Sequence, residues 1–198
     1  LDAPRTVRVG VPEEYADGVI PAALAALARG RAGLVVEVHC AGSATLERRL
    51  GAGGLDFAFA IADEIEGRGE AVTHDRTVWL ARRGFDTARR PLPVAVFDQA
   101  CSWRRRAFEA LERAAIDYRV VFTSASVAGV RAGIRAGLAV GALGESTATA
   151  DLEPLAGGGT PPELPAAEIV LLRADDLDAD IEELANRARG RLAARAPA

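Results

Sequence analysis

Three short polar turns carry the side chains of this chain that are best suited to binding a small molecule. They are residues 12–17, 41–45 and 123–126, and each follows a strand-like run and precedes a helix-like run. The start of a helix presents unpaired amide hydrogens and a partial positive charge. Such a turn can therefore bind a carboxylate or a phenolate. The simpler alternative is that Ser43 and Ser126 only cap their helices, because serine is a favoured N-cap residue.

Catalysis and metal binding find little support in the same sequence. His39 and His74 lie far apart along the chain, and neither has a second ligand at metal-binding spacing. Ser146, within GALGESTA, lacks the second glycine of a nucleophile elbow. The GAGG run follows a helix pattern and has no lysine, so it is not a phosphate loop. We therefore expect no catalytic residue, no metal and no cofactor.

The third turn lies inside the clearest βαβ pattern of the chain. Residues 118–122 (YRVVF) are a strand-type run, and residues 139–143 form a second, buried run. Between them, Ser126 can cap a helix, and Gly137 stands where a left-handed C-terminal residue is favoured. The apolar positions recur at helical spacing, at Val127, Val130, Ile134 and Leu138. A βαβ unit predicts a parallel sheet with ligand crevices at the carboxyl ends of its strands.

The rest of the chain repeats this order of elements. Residues 6–62 and 92–143 each read β-α-β-α-β, with the first helix starting near Asp17 or Gly18 and the helix after residue 97 capped by Asp98. Residues 77–81 are a further strand of the first half. The breaker-rich stretches 82–93 and 151–165 predict two crossings between subdomains.

Two crossings divide the chain into three segments. We expect residues 1–82 to form the first part of subdomain I, residues 83–161 to form subdomain II, and residues 162–198 to return to subdomain I. The returning segment contains a strand at 168–173 and a helix at 176–195. Two adjacent crossings form a hinge, which permits closure around a ligand.

The ordered set of these segments resembles the effector-binding domain of LysR-type bacterial transcription regulators. The segments are PLPVAVF, YRVVFTSAS and AGIRAGLAVGALGES and, at the front, VRVGVPEEYADGVIPAALAAL and AGSATLERRLGAGGLDFAFAI. The resemblance covers nearly the whole chain. It implies an α/β fold of two Rossmann-like subdomains with a ligand cleft between them, similar to type 2 periplasmic binding proteins. It also implies a cytoplasmic protein that pairs side by side as a homodimer or homotetramer.

The resemblance also assigns residues to the site of a small-molecule effector. Matching the family's pattern by position selects Ser43, Thr45, Thr123 and Ser124, with Tyr15 at the rim and Leu143, Gly144 and Cys101 nearby. Three acidic residues depart from the family's pattern, namely Glu13, Glu14 and Glu145. Carboxylates near the cleft disfavour an anionic effector unless they point outward, so the charge of the ligand stays open.

Cys101 stands near a helix start, a setting that can lower the pKa of a thiol. It resembles in position the reactive cysteine of peroxide-sensing members of the family. Those members need a second cysteine shortly downstream, and residues 102–118 contain none. We therefore prefer a packed or cleft-lining thiol, a preference that rapid and selective dimedone labelling of Cys101 under peroxide would contradict.

Composition agrees with a regulatory domain. The net charge of -4 argues against nucleic acid as a direct partner of this segment, so the resemblance implies a winged helix-turn-helix upstream that binds DNA. No apolar run approaches the roughly 20 residues of a membrane helix, and we expect no membrane partner. The chain opens on Leu1 and contains no methionine, which favours a piece of a longer protein.

The main alternative is a type 2 solute-binding protein of a transport system, which shares the two-lobed architecture. That function would require an export signal or a lipid-anchor cysteine upstream. An enzyme on the same fold ranks third, because it would require a catalytic constellation in the cleft.

Overall fold

The computed structural model describes residues 5–16, 34–67, 69–98, 101–155 and 161–193. The strands are β1 (Arg5–Val11), β2 (Leu34–Cys40), β3 (Phe57–Ile61), β4 (Glu70–Asp75), β5 (Thr77–Arg82), β6 (Leu92–Phe97), β7 (Tyr118–Ser124), β8 (Gly141–Gly144), β9 (Leu152–Pro154) and β10 (Ala167–Arg173). The helices are α1 (Ser43–Gly51), α2 (Ser102–Arg113), α3 (Val127–Arg135) and α4 (Ala179–Ala193). The chain divides into two compact units: unit 1 is Leu1–Asp75 with Ala167–Ala198, and unit 2 is Arg76–Ala166.

Unit 1 is built on a five-stranded sheet with the order β2-β1-β3-β10-β4. Strand β1 runs parallel to β2 and β3, whereas β10 runs antiparallel to β3 and β4. Every residue of β3 is buried, as its continuous apolar run predicts for a central strand covered on both faces. Helix α1 buries Leu46, and α4 buries Ile181, Leu184 and Leu192, so each helix covers the sheet with an apolar stripe.

Unit 2 contains the predicted βαβ element. Strands β6 and β7 pair in parallel, and Val94 of β6 forms a parallel bridge with Val140 on its other side. Helix α3 connects β7 to this third segment, and Gly137 ends it with a φ of 71°. Strand β5 pairs antiparallel with β8 and β9. The prediction of a parallel βαβ unit at this place is therefore confirmed.

Two glycines allow α3 to lie close to the sheet. A Cβ atom on Gly133 would lie 2.8 Å from the ring of Phe122, and one on Gly129 would lie 2.0 Å from the Ser124 hydroxyl oxygen. Both distances are shorter than van der Waals contact. The spacing of these glycines therefore serves helix-to-sheet packing, and α3 depends on tertiary contacts for its stability, because glycine is a poor helix former.

The structure differs from the sequence analysis in three strands. Strand β5 was expected in the first subdomain, but it pairs with strands of unit 2, so the first crossing lies at 75/76. The second crossing lies at 166/167 and not at 161/162. Strand β9 lies in the stretch 151–165 that was expected to be a connection, and no strand was expected at the position of β4. Strand β4 is mostly polar in sequence, and the two strands are defined by pairing, β4 with β10 and β9 with β5. The predicted helix after Asp17 lies outside the described residues.

Helix α2 also begins differently from the prediction. Asp98 was expected to cap it, but the N-cap residue is Cys101, whose sulfur accepts a hydrogen bond from the Arg104 amide at 3.5 Å. The backbone amide of Asp98 instead donates to the Ser124 carbonyl at 3.0 Å. Asp98 thus belongs to the pairing of β6 with β7 and lies too early in the chain to cap the helix.

Candidate functional site

The parallel strands of unit 1 end at a common edge, which we call the carboxyl edge of unit 1. Val11 at the end of β1 lies opposite Cys40 at the end of β2, and Gly10 lies opposite Ala58 of β3. The chain leaves this edge through a 3-10 turn after β1, through Ala41 into α1, and through a 3-10 turn after β3. Three turns are therefore brought to one edge, as the Rossmann-like pattern predicts.

Ser43 connects two of these turns. Its side chain is 1% exposed. The hydroxyl accepts a hydrogen bond from the Ile61 amide at 3.1 Å and donates one to a carboxylate oxygen of Glu64 at 2.8 Å. Gly42, not Ser43, is the N-cap residue of α1, and no side chain caps this helix. The alternative that Ser43 is only a helix cap is therefore wrong.

Thr45 and Tyr15 lie on the same edge with different exposure. The Thr45 hydroxyl oxygen accepts a hydrogen bond from the Arg48 guanidinium at 3.0 Å, one helical turn further along α1. Tyr15 was predicted at the rim of a cleft, but only 1% of it is exposed. Tyr15 is therefore buried and not exposed at a rim.

The corresponding edge of unit 2 carries the turn after β7, which we call the serine turn (Thr123–Ser126). Thr123 is exposed and Ser124 is half-buried. The Ser124 hydroxyl accepts a hydrogen bond from the Ser126 amide at 3.2 Å, and the Ser126 hydroxyl accepts one from the Gly129 amide at 3.1 Å. The prediction that Ser126 caps the following helix is confirmed.

Leu143 and Gly144 are buried at the end of β8. The Leu143 side chain is fully buried in a core cluster with Leu80 and Ile134, so it packs within unit 2 and offers no side-chain contact to a ligand. The Gly144 carbonyl accepts a hydrogen bond from the Thr147 hydroxyl at 2.7 Å. Of the two, only the backbone of Gly144 lies next to the polar turn that follows β8.

Glu145, the first residue after β8, is held by an arginine. Its carboxylate lies 3.3 Å from the guanidinium of Arg76, and its backbone amide donates to the Arg76 carbonyl at 2.7 Å. This carboxylate is therefore balanced by a cation of the same unit. Glu145 therefore disfavours an anionic effector less than its position in the sequence suggests.

Cys101 is half-buried and both cysteines are free thiols. The Cys101 sulfur accepts the Arg104 amide hydrogen as described above, and Cys40 is the last residue of β2 in unit 1. The structure thus assigns Cys101 a capping role at α2. The interpretation of Cys101 as a packed or cleft-lining thiol stays a prediction, which dimedone labelling under peroxide tests.

Few of the described residues could support catalysis or metal binding. Among residues 5–16, 34–67, 69–98, 101–155 and 161–193, no group of three or more histidine, cysteine, aspartate or glutamate side chains could hold a metal ion. His39 contacts the Arg49 guanidinium through Nδ1 at 3.0 Å. In the same part of the chain, no helix is long and apolar enough to cross a membrane.

The shifted acid groups of the described chain lie away from the polar turns. Hydrogen bonding from Arg173 lowers the pKa of Glu70, and a hydrogen bond from Thr149 lowers the pKa of Asp151. Burial, followed by the neighbouring Glu112 carboxylate, raises the pKa of Tyr118. These groups join neighbouring elements within one unit and do not form a reactive constellation.

A groove with a volume of about 820 Å³ lies at the opposite edge of unit 1, near the ends of β10 and α1. Two of its carboxylates accept hydrogen bonds from backbone amides of the chain. Glu47 accepts hydrogen bonds from the amides of Glu66 and Gly67 at 3.0 and 2.6 Å, and Asp56 accepts one from the Arg8 amide at 2.7 Å. The expected site lies at the carboxyl edge of unit 1, so this groove is at the wrong edge of the sheet to be that site.

Comparison with known proteins assigns the family. The family model described as the LysR substrate binding domain matches residues 2–193. The chain belongs to this family. The HTH-type transcriptional regulator DgdR of Burkholderia cepacia is 30% identical over 167 residues, which cover 84% of this chain and 57% of that protein. This LysR substrate-binding domain therefore spans little more than half the length of the relative.

Solved structures agree with the fold of a LysR regulatory domain. The bromide-bound regulatory domain of HypT from Salmonella typhimurium matches with a TM-score of 0.77 at 16% identity, covering 97% of both chains. The regulatory domain of MexT, a transcriptional activator in Pseudomonas aeruginosa, matches with a TM-score of 0.73 at 20% identity, covering 96% of this chain and 100% of that one. The prediction of a LysR effector-binding domain with a two-subdomain fold similar to type 2 periplasmic binding proteins is confirmed.

One residue of the LysR substrate-binding domain's candidate site was missed by the sequence analysis. Glu64 is the last residue of the 3-10 turn that follows β3, and its carboxylate accepts a hydrogen bond from the Ser43 hydroxyl. The signal that could have found it is position, because Glu64 follows a parallel strand in the same way that the turn at 41–45 does.

Proposed function

We propose that a small-molecule effector binds to the polar turns at the carboxyl edges of the two units, and that its binding alters how the full-length regulator binds DNA. The observation that supports this is the convergence of three turns at one edge of the unit 1 sheet, with Ser43 joining two of them. The residues we expect to contact the effector are Thr45, Thr123, Ser124 and Cys101, with the backbones of Ser43 and Gly144. Ligands of open α/β sheets bind at this edge.

The family match favours a transcription regulator over a transport protein. In this proposal the winged helix-turn-helix lies in the remainder of the full-length protein, and the described domain acts only as the sensor. Linkage then requires the effector to bind one DNA-binding state more tightly than the other. The protein would act in the cytoplasm, where its DNA is.

The experiment that tests this proposal screens thermal unfolding of the domain against a metabolite panel, followed by gel shifts. We expect at least one metabolite to raise the melting temperature, and we expect no operator affinity from the isolated domain. Tight, sequence-specific DNA binding by the isolated domain would contradict this division of roles.

We further propose that the domain forms a homodimer or homotetramer through segments 18–40 and 101–122 of paired chains. The support is that β2 and β7, both at sheet edges, present exposed valines, with Val35 44%, Val120 37% and Val121 38% exposed. Apolar side chains on an edge strand are typical of a protein interface. Light scattering should give a dimer or tetramer that Val121→Asp weakens, and a strict monomer at high concentration would contradict the proposal.

A further inference from the structure

Arg104 places a positive charge at the carboxyl edge of unit 2. Its guanidinium donates a hydrogen bond from Nη1 to the Phe97 carbonyl at 2.6 Å. Phe97 is the last residue of β6 and lies opposite Ser124 in the pairing of β6 with β7. The backbone amide of Arg104 donates to the Cys101 sulfur, as described above. This cation therefore lies at the edge that carries the serine turn and Cys101.

An aromatic stack restricts the guanidinium of Arg104. The guanidinium carbon lies over the Phe108 ring, 5.1 Å from its centroid. That ring stacks on Tyr118, with centroids 5.0 Å apart and an angle of 24° between the planes. A guanidinium is planar and carries several N–H donors in a fixed fork. Because the Phe97 carbonyl is the only acceptor for this fork among the described residues, other donors of the fork remain for a ligand.

The charge of Arg104 is not compensated by a carboxylate in the described part of the chain. The neighbouring Arg105 lies 3.6 Å from the Glu109 carboxylate, whereas Arg104 forms no ion pair with any residue that the structure describes. Asp98 lies on the same edge, but its side chain is exposed and does not pair with Arg104. Glu112 accepts a hydrogen bond from the phenol of the aromatic stack at 3.4 Å. Unit 2 therefore presents an uncompensated cation at its carboxyl edge.

The serine turn adds hydrogen-bond donors beside this cation. The Ser124 hydroxyl accepts the Ser126 amide hydrogen at 3.2 Å, and its own proton has no acceptor among the described residues. The Thr123 side chain is exposed. Ser43 of unit 1 differs, because it donates its proton to Glu64 at 2.8 Å. A serine hydroxyl has one proton to donate, so Ser124 can still donate to a ligand and Ser43 cannot.

We propose that Arg104 is a specificity-determining residue that binds a carboxylate of the effector at the carboxyl edge of unit 2. The inference rests on the proposed effector-binding function and adds the chemical class of the ligand, an organic acid. The guanidinium and the carboxylate form a charge-assisted, bidentate pair, and the Ser124 hydroxyl donates to the same carboxylate. The Phe97 carbonyl and the Phe108 ring hold the guanidinium in position before the ligand binds.

The first arm of the test uses the wild-type domain and two matched sets of compounds: benzoate, benzamide and benzylamine, and glutarate, glutaramide and 1,5-diaminopentane. Calorimetry should show a carboxylate binding about tenfold or more tighter than the amide and amine of its set. An amide or amine that binds as tightly as its carboxylate would overturn the inference and leave the proposed function intact. Binding confined to metabolites of the panel that lack a carboxylate would do the same. No binding from these sets or from the metabolite panel would overturn both.

Variants of the same domain provide the second arm. Arg104→Gln removes the charge and should reduce the preference for a carboxylate over its amide by about tenfold or more, whereas a purely structural loss would weaken both ligands equally. Arg104→Lys keeps the charge without the planar fork and should retain part of the preference. The matched control, Arg105→Gln, removes the adjacent exposed charge and should change the preference by less than about twofold. An unchanged preference in Arg104→Gln, or an equal loss in Arg105→Gln, would overturn the proposal.

Discussion

Ser43 and Ser126 hold matching positions in the two units, each near the start of a helix that follows a parallel strand, but their hydroxyls have different partners. Ser126 is the N-cap of α3 and accepts the Gly129 amide hydrogen. Ser43 lies one residue inside α1, and its hydroxyl joins the Ile61 amide to the Glu64 carboxylate. A shift of one residue relative to the helix start therefore changes a local cap into a contact with the end of β3 and the turn after it.

The largest expected effect distinguishes the two serines directly. Ser43→Ala should destabilise the domain by about 3 kcal/mol, because a buried amide loses its acceptor and a carboxylate loses its donor. Urea unfolding with fixed m-values measures this loss. A loss no larger than that of Ser126→Ala would contradict the different roles assigned to the two hydroxyls.

The glycines of α3 and α4 extend the comparison to packing. Gly133→Ala should destabilise by about 2 kcal/mol, because its new Cβ atom would lie 2.8 Å from the Phe122 ring. Gly190→Ala in α4 meets nothing within 4 Å and should stabilise by about 0.5–1 kcal/mol. Thermal unfolding of both variants measures the difference, and equal effects of the same sign would contradict the close approach of α3 to its sheet.

Ser126→Ala should have a smaller effect, a loss of about 1 kcal/mol, since it removes one N-cap hydrogen bond. Ser126→Asn is the matched control and should retain most of the stability, because asparagine is an equally good cap. The prediction fails if both variants lose the same amount in chemical unfolding.

The smallest effect concerns one acid in each unit. The pKa of Glu70 in unit 1 is lowered, mainly by the hydrogen bond from Arg173, and the pKa of Asp151 in unit 2 is lowered, mainly by the hydrogen bond from Thr149. A lowered folded-state pKa gives stability that is present above the unfolded-state pKa and lost as the pH falls through the folded-state value.

The measurement compares the wild type with Glu70→Gln and Asp151→Asn in chemical unfolding between about pH 7 and about pH 3. Both variants should be slightly less stable than the wild type at neutral pH, and the difference should shrink in acid, where the wild-type carboxyl is protonated too. Both groups are exposed, so screening keeps the effect small. A difference that grows on acidification would show that the sign is wrong.

The sequence allowed much of the fold to be predicted because its main strands are apolar and its turns are marked. Strands β3 and β6 are continuous buried runs, and Gly137 marks the end of α3. Strand β4 escaped prediction because its residues, EAVTHD, are mostly polar and half-exposed and become a strand only by pairing with β10. Strand β5 has a clear strand pattern, but a pattern does not state which sheet a strand joins.

The candidate site was predictable in position and less so in chemistry. The rule that turns follow parallel strands located Ser43 and the serine turn, and capping preference identified the role of Ser126. The partner of Ser43 could not be read from spacing, because Glu64 is 21 residues away and their contact depends on the register of β2, β1 and β3. Tyr15 and Leu143 were misplaced for a related reason, since burial is set by the packed fold.

The most direct test of the account is amide chemical-shift mapping of the isotope-labelled domain with a compound found in the metabolite screen. We predict that the perturbed amides concentrate at residues 41–45, at residues 62–64 and in the serine turn. Perturbation confined to the opposite edge of unit 1, around Asp56 and Arg173, would contradict the placement of the effector site.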